Sequence, residues 1–282
     1  MANESNQTTR VMLWSCPRSL STAFTRAILE LGNVEVFNEE FAAAYFFGPE
    51  RIQDRNSPKL APNHSFKWVK ERLEADYPGK VGVFGKDFAY PILPRLELLP
   101  QGFYHTFLVR DPTKVFASLK PRFEASRISR AVSGTDLRHC IPVEGYTYKE
   151  LRELYEHVKG QGLPTLVLDA DDLLDKPVEM MRYYCQTTGL PFKESMVTWK
   201  PANCRDLNWH CCRALRFMNW LMQWYEGALK SSGFKKPSAR HIDVESLQPD
   251  VKLAIEVSQP HYDFMYSQRV QLDANGEVAP NN

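Results

Sequence analysis

The residues best suited to chemistry lie in a short segment after the first apolar run of the chain. Arg18 is followed by the hydroxyl-bearing side chains Ser19, Ser21 and Thr22. We expect a helix to begin here, and the first turn of a helix offers free backbone N–H groups and the positive end of the helix dipole. The hydroxyls and the arginine fork would add side-chain donors, so the segment suits phosphate or sulfate. The alternative is an ordinary helix N-cap at Ser19, with Arg18 on the surface.

A second candidate pair lies further along, where an apolar run passes into a helical pattern. Arg110 directly follows the apolar run Thr106–Val109, and Ser118 lies eight residues after Arg110. Eight residues are about two turns of an α-helix, so both side chains can reach a single anion. The alternative is that Asp111 caps the helix while Arg110 is solvated.

The elements that must position these residues form an alternating pattern. Apolar runs predict strands at Val11–Trp14, Val34–Phe37, Val81–Lys86, Tyr104–Val109 and Thr165–Leu168. Helical patterns lie at Leu20–Leu31, Phe66–Asp76, Pro112–Ala125, Tyr148–Lys159, Val178–Thr188, Asn208–Ser232 and from Leu247 onward. Strands that alternate with helices predict an α/β fold around a parallel sheet. The loops after parallel strands share one edge of the sheet, where ligands bind.

Length and composition narrow the class of protein. The 282 residues suit one domain, which we place at 10–270, with flexible tails at 1–9 and 271–282. The net charge of +1 argues against a nucleic-acid partner, so an anion site must be local. We expect no membrane span and no secretory signal. The six irregularly spaced cysteines favour free thiols in the cytoplasm and no metal site.

Together the two anion-binding segments resemble the sulfotransferase family. Pro17–Thr22 matches its Pro-Arg-Ser-Gly-[Ser/Thr]-Thr motif, and Arg110 with Ser118 matches its second motif in residue type and spacing. Asp169–Pro177 is similar to a later Tyr-Glu-Asp-Leu segment, and the resemblance spans about Val11 to Leu190. It implies a three-layer P-loop sulfotransferase-like fold with a central parallel sheet and a helical C-terminal extension.

The resemblance also implies a donor, PAPS (3′-phosphoadenosine 5′-phosphosulfate), and its product PAP, with no metal. Six consecutive residues would hold the 5′ group, and Arg110 and Ser118 would hold the 3′-phosphate, with one of Arg122, Arg127 and Arg130 adding a contact. The six residues are Arg18, Ser19, Leu20, Ser21, Thr22 and Ala23. Leu20 stands where most members carry Gly, so we expect a slightly different loop backbone.

The catalytic base is predicted from the same resemblance. Phe88 takes the place of the histidine of cytosolic members, while Lys86 remains and would stabilise the transferring group together with Arg18. Bacterial and tyrosine-sulfotransferase-like members use a glutamate about twenty residues after the first loop, which corresponds to Glu39. Glu40 and then Asp87 are the alternatives. The glutamates could instead be solvated charges at a helix start.

We therefore expect a sulfotransferase that acts on a hydroxyl or amine of a small-molecule acceptor; the oligomeric state is open. A catalytically silent nucleotide-binding or partner-binding protein on the same fold is the alternative. A kinase-like phosphotransferase is disfavoured, because the Walker Gly-x-x-x-x-Gly-Lys-[Ser/Thr] pattern is missing and the loop after Trp14 contains no glycine. His210 is a further candidate for the wall of an acceptor pocket.

Overall fold

A five-stranded sheet forms the centre of the computed structural model. All its neighbouring strands pair in parallel, in the order β2-β3-β1-β4-β5. The strands are β1 (Thr9–Ser15), β2 (Val34–Asn38), β3 (Gly82–Phe88), β4 (Tyr104–Val109) and β5 (Thr165–Asp169).

The described residues are 8–53, 60–126, 130, 134–236, 241–273 and 276–278. The predicted α/β class is confirmed. Of the predicted tails, residues 1–7, 274–275 and 279–282 lie outside the described part, whereas Thr9 already belongs to β1.

Helices connect the strands and continue beyond the last one. In chain order they are α1 (Ser21–Leu29), α2 (Glu40–Phe47), α3 (Phe66–Glu74), α4 (Pro112–Ala125), α5 (Leu137–Cys140), α6 (Tyr148–Gly160), α7 (Ala170–Asp175), α8 (Pro177–Thr188), α9 (Arg213–Met222), α10 (Glu226–Lys230) and α11 (Pro249–Ser267). Short 3-10 turns lie at Leu93–Leu98, Glu194–Val197, Cys204–Asp206 and Val244–Ser246.

Helices cover both faces of the sheet, which gives the predicted three layers. Successive side chains of a strand point to opposite faces, and in β1 both sets are apolar. Val11 and Leu13 pack in the core shared with α1, α7 and α8, whereas Met12 and Trp14 pack in the core shared with α2, α3, α4, α6 and α11. All four side chains are buried.

The topology sets one crevice apart from the rest of the sheet edge. β1 lies between β3 and β4, and the chain passes from β1 to β2 on one side before it crosses to β4 on the other. In open parallel sheets, ligands bind outside the carboxyl ends of the strands where the winding reverses. The loops after β1 and β4 flank this point, and they carry Arg18 and Arg110.

The predicted continuous helix at Asn208–Ser232 is wrong. His210 instead pairs with the edge of β2: its N–H donates to Val36 O at 2.7 Å, and its carbonyl accepts from Asn38 N–H at 2.8 Å. An edge strand leaves backbone groups unpaired, and this short parallel bridge satisfies two of them. Gln223 then adopts φ 55°, which ends α9 and separates it from α10.

Candidate active site

A cavity of about 920 Å³ opens at the carboxyl end of the sheet. The side chains of Arg18, Glu39, Lys86 and Arg110 line it. These four come from or just after four different strands, so the parallel sheet brings together residues that are widely spaced in the sequence. The segment around α9 and α10 closes the opposite wall.

The loop after β1 approaches the cavity with an unusual backbone. Arg18 and Leu20 both have positive φ, at 62° and 68°, and Leu20 is the N-cap of α1. Ser19 is fully buried, and its hydroxyl donates to Cys16 O at 2.7 Å. The Ser19 N-cap considered above is therefore not formed, and this hydroxyl is used inside the loop.

Leu20 keeps the backbone conformation that a glycine would favour at this position. A left-handed conformation costs an ordinary residue about 1–2 kcal/mol relative to the right-handed one. Leu20 adopts it nevertheless, with a half-buried side chain packed on the core shared with α1. The leucine at this position therefore adopts the left-handed conformation at the cost of local strain.

The first turn of α1 faces the cavity. Ser21, Thr22 and Ala23 line it. The N–H groups at the start of a helix have no partners within the helix, and the dipole makes this end positive. The turn is therefore arranged to accept an anionic oxygen.

Arg18 and Arg110 are linked to one another and to Ser118. The Nε of Arg18 donates to Ser118 Oγ at 3.2 Å, and Nη1 of Arg110 donates to the carbonyl of Arg18 at 3.0 Å. The other end of the Arg18 guanidinium donates to Trp224 O at 2.8 Å. The two predicted anion-binding segments thus meet, although Ser118 is not on the cavity wall.

Positive charge is concentrated around this contact. Burial, and then the charges of Arg122 and Arg110, lower the pKa of Arg18 to about 10. Glu226 pairs with Arg122 at 3.2 Å, whereas Arg110 Nε is buried and has no hydrogen-bond partner in the described part of the chain. Crowded guanidinium groups with an unused buried donor suit an anion with several oxygens, such as a phosphate or sulfate group. Of the other predicted phosphate contacts, Arg127 lies outside the described residues.

Glu39 lies in the centre of a hydrogen-bonded group. It follows β2 as the left-handed N-cap of α2, with φ 59°. Lys86 Nζ forms an ion pair with Oε1, and the hydroxyl of Tyr225 donates to Oε2 at 2.6 Å. Asn38 Nδ2 in turn donates to the Tyr225 hydroxyl at 2.9 Å. The Lys86 ammonium also lies 4.4 Å from the ring centre of Phe88, the residue predicted to replace the histidine of cytosolic sulfotransferases.

The two alternative bases are engaged elsewhere. Glu40 is buried and pairs with His64 at 2.9 Å. Asp87 accepts from two backbone N–H groups at the start of α2, at 2.7 and 3.2 Å. Burial, and then the charge of Glu39, raise the pKa of Asp87 to about 8. Neither side chain lines the cavity, whereas Glu39 does.

Apart from the charged side chains, the wall of the cavity is mainly apolar. It includes Phe46, Phe47, Phe88, Leu119, Phe123 and Met218. His210 does not line it: its Nε2 lies 2.5 Å from Glu35 Oε1, and its Nδ1 lies 3.0 Å from Arg72 Nη2. This histidine fastens the edge of β2.

Sequence reasoning missed Tyr225 as a site residue. It lies in the segment predicted as one long helix, where aromatic side chains are most simply read as core. Tyr225 and Glu39 are separated by 186 positions in the sequence, and no local sequence pattern predicts their contact. The chain turns at Gln223, Trp224 and Tyr225, and this segment contains neither the glycine nor the proline that would have predicted a turn.

The described residues contain no group of three or more His, Cys, Asp or Glu side chains that could hold a metal ion. In the same part of the chain, no helix combines the length and the apolar character needed to cross a membrane.

Curated relatives and a solved structure are similar to this chain. The chain is 28% identical over 230 residues to branched-chain-amino-acid aminotransferase-like protein 2 of Arabidopsis thaliana, and 25% identical over 235 residues to protein 1 of that name. Each match covers 79% of this chain but 36% of the relative, so the chain spans about a third of their length. The crystal structure of mouse sulfotransferase SULT7A1 complexed with PAP matches with a TM-score of 0.50 and 11% identity, over 96% of this chain and 87% of that one. That likeness shows a shared fold.

A family model covers almost the whole chain. The model described as the sulfotransferase domain matches residues 9–268, from the first residue of β1 to just beyond α11. The predicted family is confirmed, and with it the fold: this chain belongs to the sulfotransferase domain family.

Proposed function

We propose that the protein transfers a sulfuryl group from PAPS to a hydroxyl or amine of a small-molecule acceptor. One observation carries the proposal: cationic and acidic side chains converge on one cavity whose wall is otherwise mainly apolar. Arg18, Lys86 and Arg110 supply positive charge, and Glu39 supplies the carboxylate. The family supports sulfotransfer in general, while the donor and the acceptor class are inferred from the site.

The donor would bind across the loops after β1 and β4. Arg18, Ser21 and Thr22 would contact its 5′ group, helped by the free N–H groups at the start of α1. Arg110 and Ser118 would hold the 3′-phosphate. The pair is already connected through Arg18, so binding at one phosphate would order the residues that meet the other.

Glu39 would take the proton of the acceptor during transfer. PAPS supplies the sulfuryl group: an acceptor O–S or N–S bond forms while the S–O bond to the 5′-phosphate breaks. Lys86 and Arg18 would stabilise the charge on the transferring and leaving oxygens. Because Glu39 contacts Lys86 directly, the base and the cation are held next to one another.

Two further features support the proposed class of acceptor and a location in the cytoplasm. The apolar wall favours an acceptor whose hydroxyl or amine is attached to an apolar ring or chain. None of the six cysteines, all of which are described, forms a disulfide, and free thiols are typical of the reducing cytoplasm.

The first test is calorimetric titration with PAP. We expect wild-type protein to bind PAP and to ignore ATP, and Arg110→Ala to weaken binding at least 10-fold. Arg205→Ala is the matched control, because Arg205 is exposed and lies outside the cavity. Circular dichroism would establish that each variant is folded.

The second test measures turnover. ³⁵S-labelled PAPS is offered with 4-nitrophenol, 2-naphthol and 2-naphthylamine, each with one acceptor group on an apolar ring. We expect labelled product from wild-type protein and a loss of at least 100-fold in Glu39→Gln. Folded protein that does not bind PAP would overturn the proposed function. Binding of PAP without transfer to any of the three acceptors, and without hydrolysis of PAPS by water, would favour the silent nucleotide-binding alternative.

A further inference from the structure

The two oxygens of the Glu39 carboxylate have different partners. Lys86 holds Oε1, and Tyr225 holds Oε2 through its hydroxyl at 2.6 Å. Glu39 and Tyr225 are 3% and 4% exposed, and both line the cavity. The carboxylate is therefore fixed from two sides, by one residue from the sheet and one from the C-terminal part of the chain.

The direction of the tyrosine hydrogen bond is determined by its surroundings. Asn38 Nδ2 donates to the Tyr225 hydroxyl at 2.9 Å, so that oxygen acts as an acceptor toward Asn38. A tyrosine hydroxyl has a single hydrogen, which is then free to point at Glu39. The ring is held edge-on against Trp209, with centroids 5.7 Å apart. The orientation of the O–H group thus follows from three fixed neighbours.

Tyr225 keeps its proton under these conditions. Burial, followed by the negative charge of Glu39, raises the pKa of Tyr225 well above its ordinary value. A neutral hydroxyl that donates to a carboxylate stabilises the charged form of that carboxylate. Each carboxylate oxygen has a second lone pair, so Oε2 can accept from Tyr225 and from an acceptor hydroxyl together.

We propose that Tyr225 is a positioning residue for the base of the sulfuryl transfer. The inference rests on the proposed function, in which Glu39 takes the acceptor proton. In that step the proton moves from the acceptor O–H to Glu39, the O–S bond forms, the S–O bond to the leaving phosphate breaks, and Tyr225 retains its hydrogen throughout. Its contribution is geometric: it sets where the carboxylate oxygen meets the acceptor, and a misplacement of about 1 Å can cost about 100-fold in rate.

The test is a double-mutant cycle on turnover. Rates are measured for wild type, Tyr225→Phe, Glu39→Gln and the double variant, with ³⁵S-labelled PAPS and the best acceptor among 4-nitrophenol, 2-naphthol and 2-naphthylamine. We expect Tyr225→Phe to lower kcat 10- to 100-fold and to change the KM of the acceptor less than 3-fold. In the Glu39→Gln background the same change should alter kcat less than 2-fold, because the hydroxyl then has no base to position.

Tyr184→Phe is the matched control. Tyr184 is also buried, and its hydroxyl also forms a hydrogen bond with a buried side chain, Thr106 at 3.2 Å, but it lies in the core away from the cavity. We expect its kcat to stay within 2-fold of wild type. PAP titration and thermal unfolding would show that each variant is folded and binds nucleotide.

The outcomes separate this inference from the function on which it rests. An active wild type with unchanged kcat in Tyr225→Phe would overturn the positioning role. An equal loss in the wild-type and Glu39→Gln backgrounds would also overturn it, since the hydroxyl would then act on the structure and not through the base. A wild type that binds PAP but neither transfers label to any of the three acceptors nor hydrolyses PAPS would overturn the proposed function itself.

Discussion

Lys86 and Glu39 form an ion pair that is almost completely shielded from solvent, with 1% and 4% of their side chains exposed. In the proposed reaction these two residues have successive tasks. While Glu39 is charged, it attracts the ammonium group of Lys86. Once Glu39 has taken a proton, that attraction falls, and Lys86 is available to the oxygen that gains charge. In this reaction the pair would therefore couple proton removal to stabilisation of the leaving group.

Removal of Lys86 should destabilise the fold. Lys86→Met leaves the buried carboxylate of Glu39 without its cation, and loss of one partner of a buried pair costs about 3–5 kcal/mol. Chemical denaturation would measure the free energy of unfolding. The double variant Lys86→Met/Glu39→Gln should regain a large part of the loss, because no charge is then left unpaired.

Lys67→Met is the control for this prediction. Lys67 pairs with Glu71 on the surface of α3, where 75% and 61% of the two side chains are exposed. Exposed pairs contribute about 0–1 kcal/mol. Equal stability of Lys86→Met and Lys67→Met would contradict the role assigned to the buried pair.

The left-handed backbone at Leu20, the N-cap of α1, predicts an unusually strong preference for glycine over alanine. Within a helix alanine is favoured by about 1 kcal/mol, whereas at an ordinary N-cap glycine is already favoured by up to about 1 kcal/mol. At Leu20, with φ 68°, Leu20→Gly should be more stable than Leu20→Ala by about 2 kcal/mol, more than at an ordinary N-cap, since only glycine adopts this conformation without strain. Both variants lose the leucine side chain, so their difference isolates the backbone. Urea midpoints at an unchanged m-value would measure it; an advantage for alanine would contradict the assigned strain.

Arg18 should not be replaceable by lysine, although both carry one positive charge. Arg18 donates to Ser118 and to Trp224 O from different nitrogens of its guanidinium group. A lysine ammonium lacks the fork needed to span both partners. Arg18→Lys should weaken PAP binding about 10-fold and speed amide hydrogen exchange in residues 222–228. Calorimetry and mass-spectrometric hydrogen exchange would show both effects, with Arg205→Lys as the control. Unchanged exchange in that segment would show that the Trp224 contact does not restrain it.

A buried histidine predicts part of the pH dependence of stability. His105 is 1% exposed, and its Nδ1 accepts from Trp14 Nε1 at 3.0 Å. Burial, and then the nearby His157, lower the pKa of His105 from 6.5 to about 4. Between these pH values the unfolded chain binds the extra proton and the folded protein does not. Stability from this residue is therefore complete above about pH 6.5 and is lost as the pH falls toward 4.

The expected size is about 3 kcal/mol, since each pKa unit corresponds to about 1.4 kcal/mol. His105→Gln removes the titration and keeps an oxygen that can accept from Trp14. Urea unfolding of both proteins from pH 4 to pH 7 would reveal the difference in slope. Parallel curves would show that His105 does not titrate as assigned.

The sheet and the position of the catalytic candidates were accessible from sequence. The five predicted strands all occur, and Arg18, Glu39, Lys86 and Arg110 lie where the rule for parallel sheets places them, at one edge. Periodicity and strand ends are local properties of the chain. The roles of these four residues stay predictions that the variants above would test.

The cavity wall formed by the segment around α9 and α10 could not be predicted from the sequence in this way. Gln223 turns the chain against its helical pattern, and His210 pairs with a strand instead of continuing a helix. Both result from tertiary contacts: β2 offers unpaired backbone groups, and Tyr225 finds Asn38 and Glu39. Such contacts override helix propensity, which is a weak preference in any single segment.

Glu39 and Tyr225 lie 186 positions apart in the sequence, and this separation also sets the order in which the site is made. At a synthesis rate of about 5–20 residues per second, a nascent chain holds Glu39 for roughly 10–40 s before Tyr225 is added. For most of that interval His210 is also missing, so the edge of β2 lacks its backbone partner. Translation therefore completes the working carboxylate and the protection of the sheet edge together, late in the synthesis of the domain.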